Sequence, residues 1–240
     1  MKNKPTIIFE DDHLVVLNKP AGTLTIPDRY AREIPNLLGW LNHRYGKVFT
    51  IHRLDRETSG IVCFAKTEAA HRHLSRQFEQ RTVDKYYTVL VEGQVHSETG
   101  IIDKPIAPNP QKQGRMMISA KGKPSLTHYQ LLEHFKHFSL LEANIKTGRT
   151  HQIRIHFEAI GYPLAIDAVY GRRDAFLLSM VKKKYKTSKD AEERPLMSRT
   201  SLHARRLAFD HPDNQERINL EAQLPKDFSA VLKQLRKWGK

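Results

Sequence analysis

The apolar positions lay out a string of short elements. Thr6-Ile7-Ile8-Phe9-Glu10 reads as a strand, Asp11-Asp12 as a turn, and residues 13–19 as a second strand closed by Pro20-Ala21-Gly22. An irregular polar loop follows, as far as Pro35. Asn36 stands where it can cap a short helix, with Leu37, Leu38, Leu41 and Tyr45 on one face and Gly46 as the stop. Ile61-Val62-Cys63-Phe64-Ala65 is an uninterrupted apolar run, which suits a buried strand. Thr67 can cap a second helix reaching about Gln80, with Ala70, Leu74 and Phe78 as its inward stripe. His71, Arg72, His73 and Arg76 lie off that stripe, as a solvated face or a phosphate-facing one. Residues 83–93 are β-rich, with Tyr87, Val89 and Val91 on one side.

Further along, the pattern loosens. Residues 103–124 hold Pro105, Pro108, Pro110 and Pro124 together with Lys112, Arg115, Lys121 and Lys123, and are expected to form a basic, mobile loop. Strands are predicted at residues 125–133 and 138–146. The turn between them carries His134 and His137, without the Cys or acidic companions a zinc site requires. A third helix is expected over residues 151–160, with Ile153, Phe157 and Ile160 inward and His151 and Arg154 together on a different face. Residues 172–199 are the least patterned and include Lys182-Lys183-Lys184, Lys186 and Lys189. They read as a loop or a partly helical basic insertion, solvated by default and RNA-contacting as the alternative. Residues 202–209 read as a last strand. Residues 225–238 read as a terminal helix with Phe228, Val231, Leu232 and Leu235 inward. No repeat or linker divides the chain, so residues 1–240 are expected to form one domain.

Composition adds a partner class. Forty Lys and Arg against 26 Asp and Glu give a formal net charge of +14, which favours a polyanion. The 39% hydrophobic content permits a sizeable core. No apolar run approaches the roughly 20 residues of a membrane-spanning helix, and no basic helix with a broad aromatic face points to a membrane surface. The start, Met1-Lys2-Asn3-Lys4-Pro5, is basic but leads into too short an apolar stretch for a signal peptide. The single cysteine, Cys63, has no internal partner for a disulfide, so a reducing cytoplasmic compartment is expected.

The densest chemistry lies in His52-Arg53-Leu54-Asp55-Arg56-Glu57-Thr58-Ser59-Gly60, a polar loop feeding the buried strand. Asp55 stands between two arginines. Such a carboxylate can be a nucleophile, a hydrogen-bond acceptor or an ion-pair partner. Taken alone, Tyr87 reads as a core aromatic and Arg154 as a surface ion-pair residue.

Together these stretches resemble the pseudouridine synthases of the RluA-type family. The resemblance rests on residues 52–60, on Lys85-Tyr86-Tyr87 before Val91-Glu92-Gly93, and on Thr147-Gly148-Arg149-Thr150-His151-Gln152-Ile153-Arg154. Asn18-Lys19-Pro20-Ala21-Gly22 and Leu202-His203-Ala204 add to it. It implies an α+β fold on a mixed, mostly antiparallel central sheet flanked by helices, with an RNA-binding cleft. It implies isomerisation of specific uridines in ribosomal or transfer RNA to pseudouridine, without cofactor or metal, by a monomer. By the resemblance Asp55 is the catalytic aspartate. Tyr87 packs on the target uracil and is the candidate for moving a proton off the sugar, and Arg154 is the basic residue that pairs with the aspartate. Arg53 is the candidate to fill the space left by a flipped uridine. His52, Arg149, His151, Gln152 and Arg115 are candidates for RNA contact, with supporting the Asp55 loop as the alternative for His52 and fixing the helix start as the alternative for Arg149, His151 and Gln152. Some relatives carry a small RNA-binding module ahead of the catalytic domain; with a strand already at Thr6, none is expected here. Two rival readings are a non-catalytic RNA-binding or ribosome-assembly protein on the same scaffold, and a hydrolase using Asp55 with Glu57.

Overall fold

The computed structural model describes residues 4–183, 185 and 192–240. Met1 to Asn3 of the basic start, and Lys184, Lys186 and Lys189 of the expected insertion, lie outside them. In chain order the elements are β1 (Thr6–Glu10), β2 (Leu14–Lys19), α1 (Leu37–Tyr45), β3 (Phe49–Thr50), β4 (Ser59–Ala65), α2 (Glu68–Gln80), β5 (Asp84–Glu92), β6 (Thr99–Asp103), β7 (Ile106–Pro108), β8 (Met116–Ile118), β9 (Leu126–His134), β10 (Phe138–Ile145), α3 (Gln152–Ala159), a single 3-10 turn (Leu178–Met180), β11 (Leu202–Asp210), β12 (Arg217–Glu221) and α4 (Lys226–Trp238). The fold is α+β with mixed, mostly antiparallel strand pairing. The predicted helix caps are in place: Asn36 accepts from the Gly39 N–H and Thr67 from the Ala70 N–H.

The chain forms two compact units. Residues 1–87 and 203–223 make the first, residues 88–202 and 224–240 the second. In the first unit β4 is the centre, and all seven of its residues are buried. β2 runs antiparallel along it, from Leu14 opposite Ala65 to Lys19 opposite Gly60. β11 pairs with its start in parallel, His203 opposite Ser59 and Ala204 opposite Gly60, and β3 pairs with its end. β1 extends the β2 side and β12 the β11 side. Gly60 is needed where it stands: its φ is +119°, and a Cβ there would lie 2.2 Å from the Ala204 carbonyl oxygen.

In the second unit β10, β9 and β6 form an antiparallel run. Its core gathers Leu90, Phe135, Phe138, Phe176, Met197 and the inward face of α4. Two expectations change here. Residues 103–124 are not an irregular loop: β7 and β8 close a small hairpin, Ile106 opposite Ile118, and Ile106 is only 2% exposed. The prolines end the strands without preventing their pairing. Within residues 172–199, Phe176 and Met197 pair with each other and are buried, so both ends of that stretch are fastened to the core.

Candidate active site

Asp55 sits in the loop ahead of β4, half-buried, and its position is set through its neighbours' backbone. On one side, the Thr25 hydroxyl both donates to the Leu54 carbonyl (3.0 Å) and accepts the Leu54 N–H (3.2 Å). On the other, the Arg56 carbonyl accepts from the Gly22 N–H (2.9 Å) and from the Lys19 ammonium (3.0 Å). Lys19 is completely buried, and its Nζ also donates to the Thr23 carbonyl (2.7 Å) and the Pro20 carbonyl (3.1 Å). A buried ammonium demands partners of this kind. The Lys19-Pro20-Ala21-Gly22 segment therefore straps the Asp55 loop, a role its sequence did not announce. The loop also closes on itself, with the Thr58 N–H donating to the Asp55 carbonyl at 3.1 Å.

The strand that follows is fixed as firmly. Ser59 Oγ lies 2.9 Å from His203 Nδ1, and His203 Nε2 lies 3.1 Å from the Ala222 carbonyl. The carbonyl only accepts, so Nε2 carries the proton and Nδ1 accepts from the serine.

Tyr87 belongs to the same unit and is buried. Burial first, and the Asp55 charge second, push its phenol above the ordinary value near 10. Its environment therefore keeps the hydroxyl protonated and does not activate it as a base. The sequence expectation that Tyr87 moves a proton needed help from the surroundings, and in this structure the surroundings act in the opposite direction.

His52 has a structural part. Its Nε2 accepts the Cys63 N–H (3.1 Å), and its ring stacks on Phe78 with centroids 4.9 Å apart. Burial, with Lys85 adding to it, pushes its pKa down to about 3, so it is a neutral acceptor tying the loop to β4. Of the two readings the sequence left open for His52, these contacts favour support of the loop over RNA contact. Arg53 and Arg56 are exposed on the loop.

Arg154 lies in the second unit. It is buried on α3, where six of the eight residues are buried and only Glu158 and Ala159 are exposed. Its Nε donates to Asp167 Oδ2 (2.6 Å) and its Nη2 to Asp167 Oδ1 (2.8 Å), a two-pronged ion pair. Asp167 Oδ1 also accepts the Val169 and Tyr170 N–H groups at 2.9 and 3.1 Å. Burial alone would raise the Asp167 pKa, but the Arg154 hydrogen bonds and charge with the two backbone donors outweigh it, and the carboxyl lies below its ordinary value. The Tyr170 ring packs under the Arg154 guanidinium, 5.0 Å to its centroid, and its hydroxyl accepts the Met116 N–H and pairs with His151 Nδ1, both at 2.8 Å.

The Thr147–Gln152 turn is a staple. Gln152 Oε1 accepts from the Thr147 hydroxyl (2.8 Å) and the Arg149 N–H (3.0 Å), while Nε2 donates to the Leu126 carbonyl and Thr127 Oγ1, both at 3.0 Å. With its amide fully engaged and buried, Gln152 fixes the start of α3 and is no RNA-contacting group. His151 is the N-cap, in the left-handed region at φ 57°. Arg149 Nε reaches the Pro124 carbonyl at 3.3 Å, and Arg115 lies 5.9 Å from the Tyr170 ring centroid.

Sequence reasoning missed Lys19, Thr25, Asp167 and Tyr170 as parts of the site. Asp167 had one legible sign: an acidic residue between the apolar Leu164-Ala165-Ile166 and Ala168-Val169, ahead of Tyr170-Gly171. Glycine suits that turn, since a Cβ at Gly171 would lie 2.7 Å from the Asp167 carbonyl oxygen.

Residues 13–159 match the family model described as RNA pseudouridylate synthase, and the chain belongs to that family. It is similar to "Ribosomal large subunit pseudouridine synthase D" of Nitrosomonas europaea, with 39% identity over 96% of this chain and 65% of the relative. It is also similar to "Ribosomal large subunit pseudouridine synthase C" of Vibrio parahaemolyticus, with 36% identity over 96% of this chain and 69% of the relative. Among solved structures, "Human RNA Pseudouridylate Synthase Domain Containing 4" superposes with a TM-score of 0.71 at 25% identity, covering 96% of this chain and 92% of that one.

Proposed function

We propose that this protein converts uridine in RNA to pseudouridine, with ribosomal RNA as the substrate class. The observation that carries the reading is a carboxylate, Asp55, on a loop held at both shoulders beside the buried phenol of Tyr87, in a chain of the RNA pseudouridylate synthase family. The relatives' names, which refer to the ribosomal large subunit, favour ribosomal over transfer RNA.

In this reading the target uridine leaves its helix and enters the site, because a paired base does not expose its glycosidic bond. Arg53, exposed beside Asp55, fills the gap. Asp55 either attacks the sugar carbon as it releases the uracil nitrogen or assists loss of the base through a glycal route. The uracil turns, and C5 of the base bonds to that sugar carbon as the bond to Asp55 breaks or, on the glycal route, as the sugar regains the proton it lost beside that carbon; the C5 proton then leaves, and the old bonding nitrogen gains a proton. Atoms and oxidation state balance, so the step calls for no redox cofactor. Tyr87 packs on the base as a neutral phenol. Arg154, held by Asp167, is the basic residue that the resemblance assigns to the reaction. The enzyme works as a cytoplasmic monomer.

The test is pseudouridine mapping of ribosomal RNA in cells that carry only Asp55→Asn. A modified position present with wild type and absent with the variant supports the reading. Retention of every position sinks it.

A further inference from the structure

Trp238 stands out at the end of α4. The inward stripe of that helix is Phe228, Val231, Leu232 and Leu235, all buried, and the next position on it is Trp238. Yet Trp238 is 41% exposed. It borders a cleft of about 390 Å³, within the roughly 300–1,000 Å³ typical of ligand sites. Phe138, Val181 and Leu235 supply the apolar lining, and Lys136, His137 and Lys183 the polar part. No aspartate or glutamate lines it among the described residues. Lys237 and Lys182 lie over the indole, 4.8 and 5.3 Å from the ring centroid. The carboxylate of Glu133 is ion-paired with Arg236 and also acts on Lys240, one of the lining residues, so it offsets part of this charge.

The platform is rigid. The Gly239 N–H donates to the Leu235 carbonyl (2.7 Å), and the Lys136 N–H donates to the Gly239 carbonyl (2.6 Å), which pins the helix end to the turn between β9 and β10. The Lys136 carbonyl in turn accepts from Gln94 Nε2 at 3.4 Å. The elements that build the cleft all belong to the second unit, whereas Asp55 and Tyr87 belong to the first.

We propose that this cleft is a second RNA site, which takes a single-stranded segment with one base stacked on Trp238 and its phosphates on Lys136, Lys183 and the neighbouring lysines. A flat aromatic face ringed by ammonium groups is the arrangement that binds single strands without reading sequence. A duplex keeps its bases stacked inside and offers none to the indole. An acidic peptide would satisfy the lysines but leave the indole without a planar partner. The proposal rests on RNA being the substrate, and it adds where the strand is gripped besides the reacting uridine.

The test uses the full chain with Trp40→Phe, so that Trp238 is the sole tryptophan. A uridine decamer, an RNA duplex of equal length and polyglutamate are titrated while fluorescence is read. The decamer should quench Trp238, and the other two should not. Trp238→Ala should weaken decamer binding about fivefold or more. Lys136→Glu with Lys183→Glu keeps the indole; that pair should also weaken binding and lower the log–log salt slope by roughly 1.4, or 0.7 per phosphate contact. No quenching, or equal quenching by polyglutamate, overturns the proposal. Quenching without pseudouridine formation by the wild type would overturn the catalytic reading alone. Pseudouridine formation without quenching would overturn the cleft alone.

Discussion

Around Asp55 the fixing contacts go to the backbone. Lys19, Gly22 and Thr25 hold the carbonyls and amide on either side of it. Around Arg154 the contacts go to the side chain itself. Asp167 takes the guanidinium in a two-pronged grip while its own Oδ1 accepts two backbone donors. The contrast follows from the tasks proposed for the two groups. A nucleophile on a loop is placed by fixing the backbone on either side of it. A fixed charge in a buried setting must be neutralised, or its desolvation would unfold the site.

The sharpest way to break the comparison is Asp55→Asn. It keeps the shape of the loop but removes the carboxylate, so pseudouridine formation should fall by on the order of 10³-fold or more while melting and RNA affinity stay near wild type. A large loss of stability would show that the carboxylate is structural after all.

Asp167→Ala should do the reverse. It removes the two-pronged Asp167 grip from the buried Arg154 guanidinium, at a cost of about 3–5 kcal/mol in urea unfolding. The folded-state pKa of Asp167 is depressed, so its contribution is present above the ordinary carboxylate value near 4 and is lost as pH falls through the folded value. Asp167→Asn should therefore flatten the acid limb of the stability curve below about pH 4.

Lys19→Met keeps the buried stem and removes the ammonium. Three carbonyls lose a donor, and roughly 2–4 kcal/mol should go with them. If Lys19 positions the Asp55 loop, turnover in the surviving folded fraction should drop with little change in RNA affinity. An equal drop in both would mean that Lys19 does no more than hold the fold.

At neutral pH the smallest effect is that of His52, which shows only on acidification. Its folded pKa of about 3 lies below the unfolded value near 6.5. Between these values the unfolded chain binds the extra proton, so stability falls as pH falls through the window, by up to about 1.4 kcal/mol per pH unit. His52→Gln should flatten that slope between pH 6.5 and 3. An unchanged slope would remove His52 from the account of the loop.

The elements were legible where a local signal existed. Asn36 and Thr67 cap their helices because a short polar side chain reaches the free amides of the first turn, and that is a matter of neighbouring residues. The buried run of β4 was legible for a similar reason: consecutive apolar residues with strand-forming shapes have few other homes. The β7–β8 hairpin was not, because four prolines and a basic composition look the same in a loop and at the ends of short strands. The short β3, β6 and β12 were also invisible, since their pairing depends on which neighbour lies alongside.

For the candidate site the division is similar. Asp55 and Tyr87 were singled out by motif, and the structure brings them close enough for the Asp55 charge to act on the Tyr87 phenol. Arg154 was singled out too, but helical spacing set it apart from the inward stripe, and the structure buries it along with that stripe. His52 and Gln152 carry polar side chains that suit RNA equally well on paper. Both are committed to the scaffold, through partners 11 residues away for His52 and 25–26 away for two of the Gln152 bonds.

The sequence by itself determined the family, the placing of Asp55 on a loop before a buried strand, and the basic charge that calls for a polyanion. Each rests on residues close together in the chain or on a simple sum. Only the tertiary structure decided that Lys19 straps the Asp55 loop across 37 residues, that Asp167 holds Arg154, and that burial keeps Tyr87 protonated. Those facts depend on which groups lose water together. Desolvation makes a lysine collect carbonyls and a phenol keep its proton, and it is a property of the packed molecule and not of any stretch of chain.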